Sequence, residues 1–263
     1  MTSPTTTTPP NAELRDRLHA LRLTRTAEEL DDFIARATKK RLSPHQLLEE
    51  IVRHEIDDRE RRSLERRLRQ AKLGHFKPID TFDWTWPTKI ERTAIERALS
   101  GDLVRSGGNL VLVAAQGLGK TMLARNIAHA AVLQGHSALF VEASAMLLDL
   151  GAQESARALD RRLRHYARPS LLCLDEIGYL SYDARAADLL FQVVSRRYER
   201  RSVVVTTNLA FRDWADIFPN ASCVTALIDR LTHHADICPI EGESYRLREA
   251  EAEQKSRRAA PRT

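Results

Sequence analysis

From residue 89 onward, short apolar runs alternate with stretches of helical periodicity, and this alternation limits the fold more than any other feature of the chain. The runs span 109–113, 138–141, 171–174, 202–206 and, more weakly, 237–240. Each is separated from the next by far more than a hairpin turn, so successive strands are joined through helices. Strands joined in that way lie parallel with right-handed crossovers. The pattern predicts an α/β domain with a five-stranded parallel sheet between helices. The 263 residues are 43% hydrophobic, enough for a substantial core, and no apolar run approaches the roughly 20 residues of a membrane-spanning helix.

The chain before this domain has a different rhythm. Residues 1–10 are rich in Thr and Pro and read as a disordered tail. Residues 11–75 read as a small all-helical module. Leu14, Leu18 and Leu21 recur at helical spacing, and Thr26-Ala-Glu-Glu29 has the form of a capping box. Ser43-Pro44 opens a third helix that is expected to run to about residue 73, with Gly74 as its C-cap. Residues 76–250 form the predicted α/β domain, entered through a packed linker at 75–88 that carries Trp84 and Trp86. Residues 251–263 read as a flexible tail. The N-terminus lacks the apolar segment of a secretory signal. Cys173, Cys223 and Cys238 show no metal-binding spacing and suit a reducing, cytoplasmic compartment.

The first strand runs into Ala114-Ala115-Gln116-Gly117-Leu118-Gly119-Lys120-Thr121, followed by a helix that begins with Met122 on its apolar side. Strand, glycine loop and helix together are the context of a phosphate-binding loop. Its backbone N–H groups and the helix dipole favour an anion, and Gly117 and Gly119 permit a close approach. Lys120 is placed to reach the β- and γ-phosphates of ATP, and the Thr121 hydroxyl to ligate Mg²⁺. Ala114 replaces the usual first glycine of the motif, a change that needs only a negative φ.

The third run ends in Asp175-Glu176. Carboxylates at the C-terminal end of a buried parallel strand lie where such sheets bind ligands. Asp175 is the candidate Mg²⁺ holder and Glu176 the candidate base for a water molecule. Asn208, after the fourth run, is placed between the γ-phosphate and that water. Arg230 and Arg246 are two candidates for an arginine that reaches a neighbouring subunit's phosphate, against a plain surface ion pair for either.

Other clusters admit two readings. Arg157, Arg161, Arg162 and Arg164 have helical spacing and are either a DNA-phosphate contact or a solvated basic face. The run from Arg59 to Lys72 is a DNA contact, a protein contact or a solvated helix. His233 and His234 are either a metal site or residues with structural or surface roles; read as adjacent helical residues pointing apart, they favour the latter. Trp84 and Trp86 either pack the linker onto the α/β domain or touch a base, and packing is the favoured reading.

The stretches GLGKTMLARNIAHAA, LLCLDEIGYLSYDARAADLLFQVVSRRYERRSVVVTTNLAFRDWADIF and LIDRLTHHADICPIEGESYRLRE, with ELRDRLHALRL near the start, resemble the IstB-like ATPases. These are transposition helpers of bacterial insertion sequences, related to DnaC-type helicase loaders in the AAA+ superfamily. The resemblance covers about residues 11–250. It implies an AAA+ P-loop NTPase that binds ATP and Mg²⁺ over Ala114–Met122, with Thr121 and Asp175 at the metal. It implies catalytic roles for Glu176 and Asn208, and Arg230 as the arginine acting in trans. It further implies an ATP-dependent homo-oligomer on duplex DNA and a partner transposase of the IstA type. A helicase loader acting on single-stranded DNA is the alternative. A nucleotide-dependent scaffold without hydrolysis is a third reading.

Overall fold

The computed structural model describes residues 11–178, 183–218 and 222–249. The tails expected at 1–10 and 251–263 lie outside the described residues. The chain divides into two compact units, Met1–Arg66 and Arg67–Thr263.

The first unit is helical: α1 (Ala12–Ala20), α2 (Thr24–Glu28), α3 (Leu30–Lys40) and most of α4 (Pro44–Ala71). In α3, Asp31 and Asp32 sit in the first turn and Lys39 and Lys40 in the last, which complements the helix dipole. Leu30 and Phe33 form its buried face. The expected capping box at Thr26 does not form. Thr26 lies inside α2, and its N–H is taken by the Oε1 atom of the buried Glu55 at 2.7 Å. A tertiary carboxylate there replaces the local cap. The cap at Ser43 does form, with Gln46 N–H donating to Ser43 Oγ and Ser43 N–H to Gln46 Oε1. In the basic run, Arg61 and Arg62 both pair with Asp58, and Arg61 also pairs with Glu65. The helix ends at Ala71, two residues short of the expectation, because Lys72 already adopts a left-handed φ of 53°.

The second unit takes in the last residues of α4, continues through α5 (Arg92–Leu99) and α6 (Asp102–Ser106), then alternates as the sequence pattern requires. Strand β1 (Asn109–Ala114) leads into α7 (Lys120–Leu133). Strand β2 (Ala138–Glu142) is followed by α8 (Ala143–Gly151) and α9 (Ala156–Ala167). Strand β3 (Leu171–Ile177) precedes α10 (Ala184–Arg197). Strand β4 (Ser202–Thr207) precedes the short α11 (Trp214–Ile217) and α12 (Val224–Thr232), and β5 (Ala235–Ile240) completes the sheet. The spatial order is β2-β3-β4-β1-β5, and all pairings are parallel.

Alternate residues of each strand face opposite helical layers. Val111, Leu139, Leu172, Leu174, Val203 and Val205 pack into one core with α8, α9, α10, α11 and α12. The alternate positions meet α7, where Cys173 Sγ donates to the Ala124 carbonyl and the Arg125 guanidinium lies over Phe140. Arg197, fully buried, donates to the carbonyls of Tyr166, Ala167, Pro169, Ser170 and Ser202, joining the end of α9 to the starts of β3 and β4. Three cysteines are free, and no described helix is long and apolar enough to cross a membrane.

Candidate nucleotide-binding site

The C-terminal ends of β1, β3 and β4 converge beside the N-terminus of α7, the place where an open parallel sheet binds ligands. A cavity of about 780 Å³ opens there. That is within the range of small-molecule and cofactor sites.

The loop that floors it turns on Gly117 (φ 80°) and Gly119 (φ 85°). A Cβ on Gly119 would lie 2.7 Å from the Phe82 ring, and one on Gly117 would collide with Ser244. Both positions therefore demand glycine on conformation and on space. Ala114 is the last residue of β1, is buried, and keeps a negative φ, so its side chain fits where glycine is usual. Lys120 Nζ donates to the carbonyls of Ala114 (2.7 Å) and Ala115 (2.8 Å), a folded-back position that phosphate oxygens would replace. Burial lowers the Lys120 pKa; Asp175 and Glu176 pull it upward, and Arg246 adds to the lowering.

Thr121 Oγ1 lies 3.2 Å from Asp175 Oδ1, and Thr206 Oγ1 donates to the same carboxylate oxygen at 2.5 Å. A hydroxyl and a buried carboxylate side by side form a hard oxygen donor set suited to Mg²⁺. Glu176 is exposed in a strand that is otherwise buried. The register of β3 against β4 shifts between Leu174 and Ile177, and Glu176 takes a left-handed φ of 62°. Its N–H donates to Thr206 Oγ1 at 2.9 Å. This bulge turns the carboxylate out of the sheet and into the cavity lining. Asn208, one residue past β4, lines the same cavity.

The opposite walls come from segments that the sequence reading treated as linker and interface. Lys77, Thr81, Phe82, Asp83, Trp86 and Pro87 line one side; Tyr245, Arg246 and Glu249 line another. Trp86 Nε1 donates to the Glu243 carbonyl (2.8 Å), Arg248 stacks over Trp86 (4.3 Å) and pairs with Asp83, and Tyr245 N–H donates to the Gly117 carbonyl. Aromatic faces and a lysine at this end suit a nucleobase and its ribose. Trp84 does pack, against Phe82 (4.8 Å) and beneath Arg92.

Arg246 lines the cavity of its own chain. Arg230 lies away from the lining. Its guanidinium packs over Phe191 (4.4 Å) and Tyr198 (5.9 Å) on α10 and just after it. On α9, Arg157, Arg161 and Arg164 are exposed, whereas Arg162 turns inward to bond Asp149. Arg164 also pairs with Asp160. Burial raises the Asp149 pKa, but bonds from Tyr166 and Arg162 more than offset it and hold it below the usual value.

Comparison with known proteins agrees with this geometry. The sequence profile of the family described as IstB-like ATP binding protein matches residues 16–253. The chain is 33% identical to a protein of insertion sequence IS5376 from Geobacillus stearothermophilus, over 90% of this chain and 94% of that one. It is 34% identical to the corresponding protein of insertion sequence IS21 from Pseudomonas aeruginosa, over 90% and 89%. Both relatives are named for ATP binding. Among solved structures, a DNA replication initiation factor superposes with a TM-score of 0.51 at 17% identity, over 73% of this chain and 56% of that one. A replication initiator DnaA bound to AMPPCP and single-stranded DNA gives 0.50 at 17%, over 65% and 52%. These likenesses mark the AAA+ P-loop fold. The chain belongs to the IstB-like family of ATP-binding proteins.

Proposed function

We propose that this protein is an ATP-driven transposition helper: an AAA+ ATPase that assembles on duplex DNA, takes part in target choice and stimulates a partner transposase. The observation that carries the reading is the convergence of Lys120, Glu176, Asn208 and Arg246 on one cavity, with Thr121 and Asp175 bonded at its floor. Relatives named as insertion-sequence proteins supply the context of transposition.

The residues divide the work. Lys120 leaves the Ala114 and Ala115 carbonyls and binds the β- and γ-phosphates, while the loop N–H groups hold the anion. Thr121 and Asp175 hold Mg²⁺, which when bound neutralises charge on the phosphate oxygens. Glu176 accepts a hydrogen bond from water, and Asn208 orients it. The new bond joins that water's oxygen to the γ-phosphorus, the bond to the β–γ bridging oxygen breaks, and the proton passes to Glu176. Arg246 adds positive charge from the same chain and Arg230 from the neighbouring subunit. The exposed Arg157, Arg161 and Arg164 supply phosphate contacts to DNA.

The test is solution mass by light scattering at low salt, with ATP and Mg²⁺, on duplex DNA, single-stranded DNA and no DNA. A large ATP-dependent complex on duplex alone is expected. It is lost in Arg230→Ala, and Glu176→Gln assembles but does not turn over ATP. Assembly on single strands alone would favour a helicase loader, and no ATP-dependent assembly would overturn both readings.

A further inference from the structure

A second constellation lies at the other end of the sheet. Helix α12 stops at Thr232, and His233 is already extended (φ −62°, ψ 119°). His234 then adopts a left-handed φ of 59°. The sequence reading took the two histidines as helical neighbours pointing apart. The helix ends before them, and the left-handed residue folds one ring back beside the other, with centroids 3.9 Å apart.

Glu199 joins them from the turn after α10. It too is left-handed, at φ 55°, a conformation uncommon for glutamate. Its Oε1 lies 3.7 Å from His233 Nδ1. One ligand atom from each of Glu199, His233 and His234 falls within 4.8 Å of the other two. The Tyr198 hydroxyl bonds His233 Nδ1 at 2.8 Å and orients that ring. The His234 carbonyl accepts from Asn109 N–H at the start of β1. The three groups thus sit in two short turns, one after α10 and one joining α12 to β5, rather than on a long loop.

We propose that Glu199, His233 and His234 form a binding site for a divalent transition metal of the Zn²⁺ class. Two imidazole nitrogens and one carboxylate oxygen are the donor set of an open zinc site, with water completing the coordination. Mg²⁺ and Ca²⁺ prefer oxygen ligands throughout, so this site discriminates against the cation expected beside ATP. Zn²⁺, Ni²⁺, Cu²⁺ and Co²⁺ all suit imidazole, with affinities ordered by the metal. The parallel strands separate the two sites by the length of β1 and β5, about 20 Å for six residues at ~3.3 Å each. Two residues in left-handed backbone, converging on one point, are the kind of outlier that functional sites retain.

The test uses the full chain without an affinity tag. Zn²⁺ is titrated against a fluorescent chelator, and Co²⁺ is followed by its visible absorption. One equivalent is expected to bind with micromolar or tighter affinity, undiminished in Lys120→Ala and by excess Mg²⁺. A double variant, His233→Asn with His234→Gly, is expected to lose at least tenfold in affinity. Glycine suits the positive φ at 234, so that change leaves the fold intact. Glu199→Gln is expected to weaken binding severalfold. Zn²⁺ should raise the melting temperature of the natural chain and not that of the double variant. No saturable binding, displacement by Mg²⁺, or unchanged affinity in the double variant would overturn the proposal.

Discussion

Replacing Thr206 by valine tests how the sheet holds its two carboxylates. Thr206 is fully buried in β4, and its one hydroxyl does two things: it donates to Asp175 Oδ1 at 2.5 Å and accepts from Glu176 N–H at 2.9 Å. A hydrogen bond to an ionised carboxylate contributes about 1.5–3 kcal/mol, and a buried donor left without its acceptor costs about 1–3 kcal/mol. The two losses share one atom and do not simply add, so the expected destabilisation is about 3 kcal/mol. With a urea dependence of about 3 kcal/mol per molar for a unit of this size, the midpoint falls by about 1 M. Tryptophan fluorescence reads this unit alone, because Trp84, Trp86 and Trp214 all follow Arg67. The Glu176 bulge should also lose its anchor, so ATP turnover falls more than ATP affinity. Thr206→Ser keeps the hydroxyl and should restore both. A midpoint shift below about 0.2 M with unchanged turnover would refute the reasoning.

Gly119→Ala should weaken ATP binding by tenfold or more in calorimetry, since φ 85° alone costs an L-residue about 1–3 kcal/mol and the new Cβ meets the Phe82 ring. ATP affinity should be full below the Lys120 pKa of the free chain, which burial lowers, and should fall as pH rises through it. Phosphates favour the charged amine, so above that value binding must take up a proton; Lys120→Met should flatten the profile in titrations across alkaline pH.

The sheet was legible because its strands are apolar runs buried on both faces, and such runs have little else to become. The ends were less so. Strand β3 extends through Asp175 and Glu176 to Ile177, although neither carboxylate looks like a strand residue; their places depend on Thr206, on a different strand. The wall of the cavity at 77–88 carries no period, since its residues face a hole rather than a core. Arg246 was ambiguous because its charge gives no direction; contacts distant in sequence, such as the bond from Tyr245 N–H to the Gly117 carbonyl, turn that segment onto the loop. His233 and His234 were misread because nothing local marks where α12 stops. Glu55 is likewise placed by a partner distant in sequence: it is buried, and it accepts from the Thr26 N–H.

The cavity takes its outer walls from both flanks of the second unit, where Trp86 and Glu243 meet across 157 residues of sequence. A nucleotide lodged there acts as a non-covalent staple between the two margins of one folded body. At a hundredfold excess over its dissociation constant, a ligand adds about 2.7 kcal/mol against any opening that would release it. Amide exchange at 77–88 and 241–249 should then slow together, while the centre of the sheet, already held by Arg197, changes little. The occupant of the pocket thereby sets how long both margins stay shut, and exchange of one molecule for another becomes a timer written in local opening rather than in any large rearrangement.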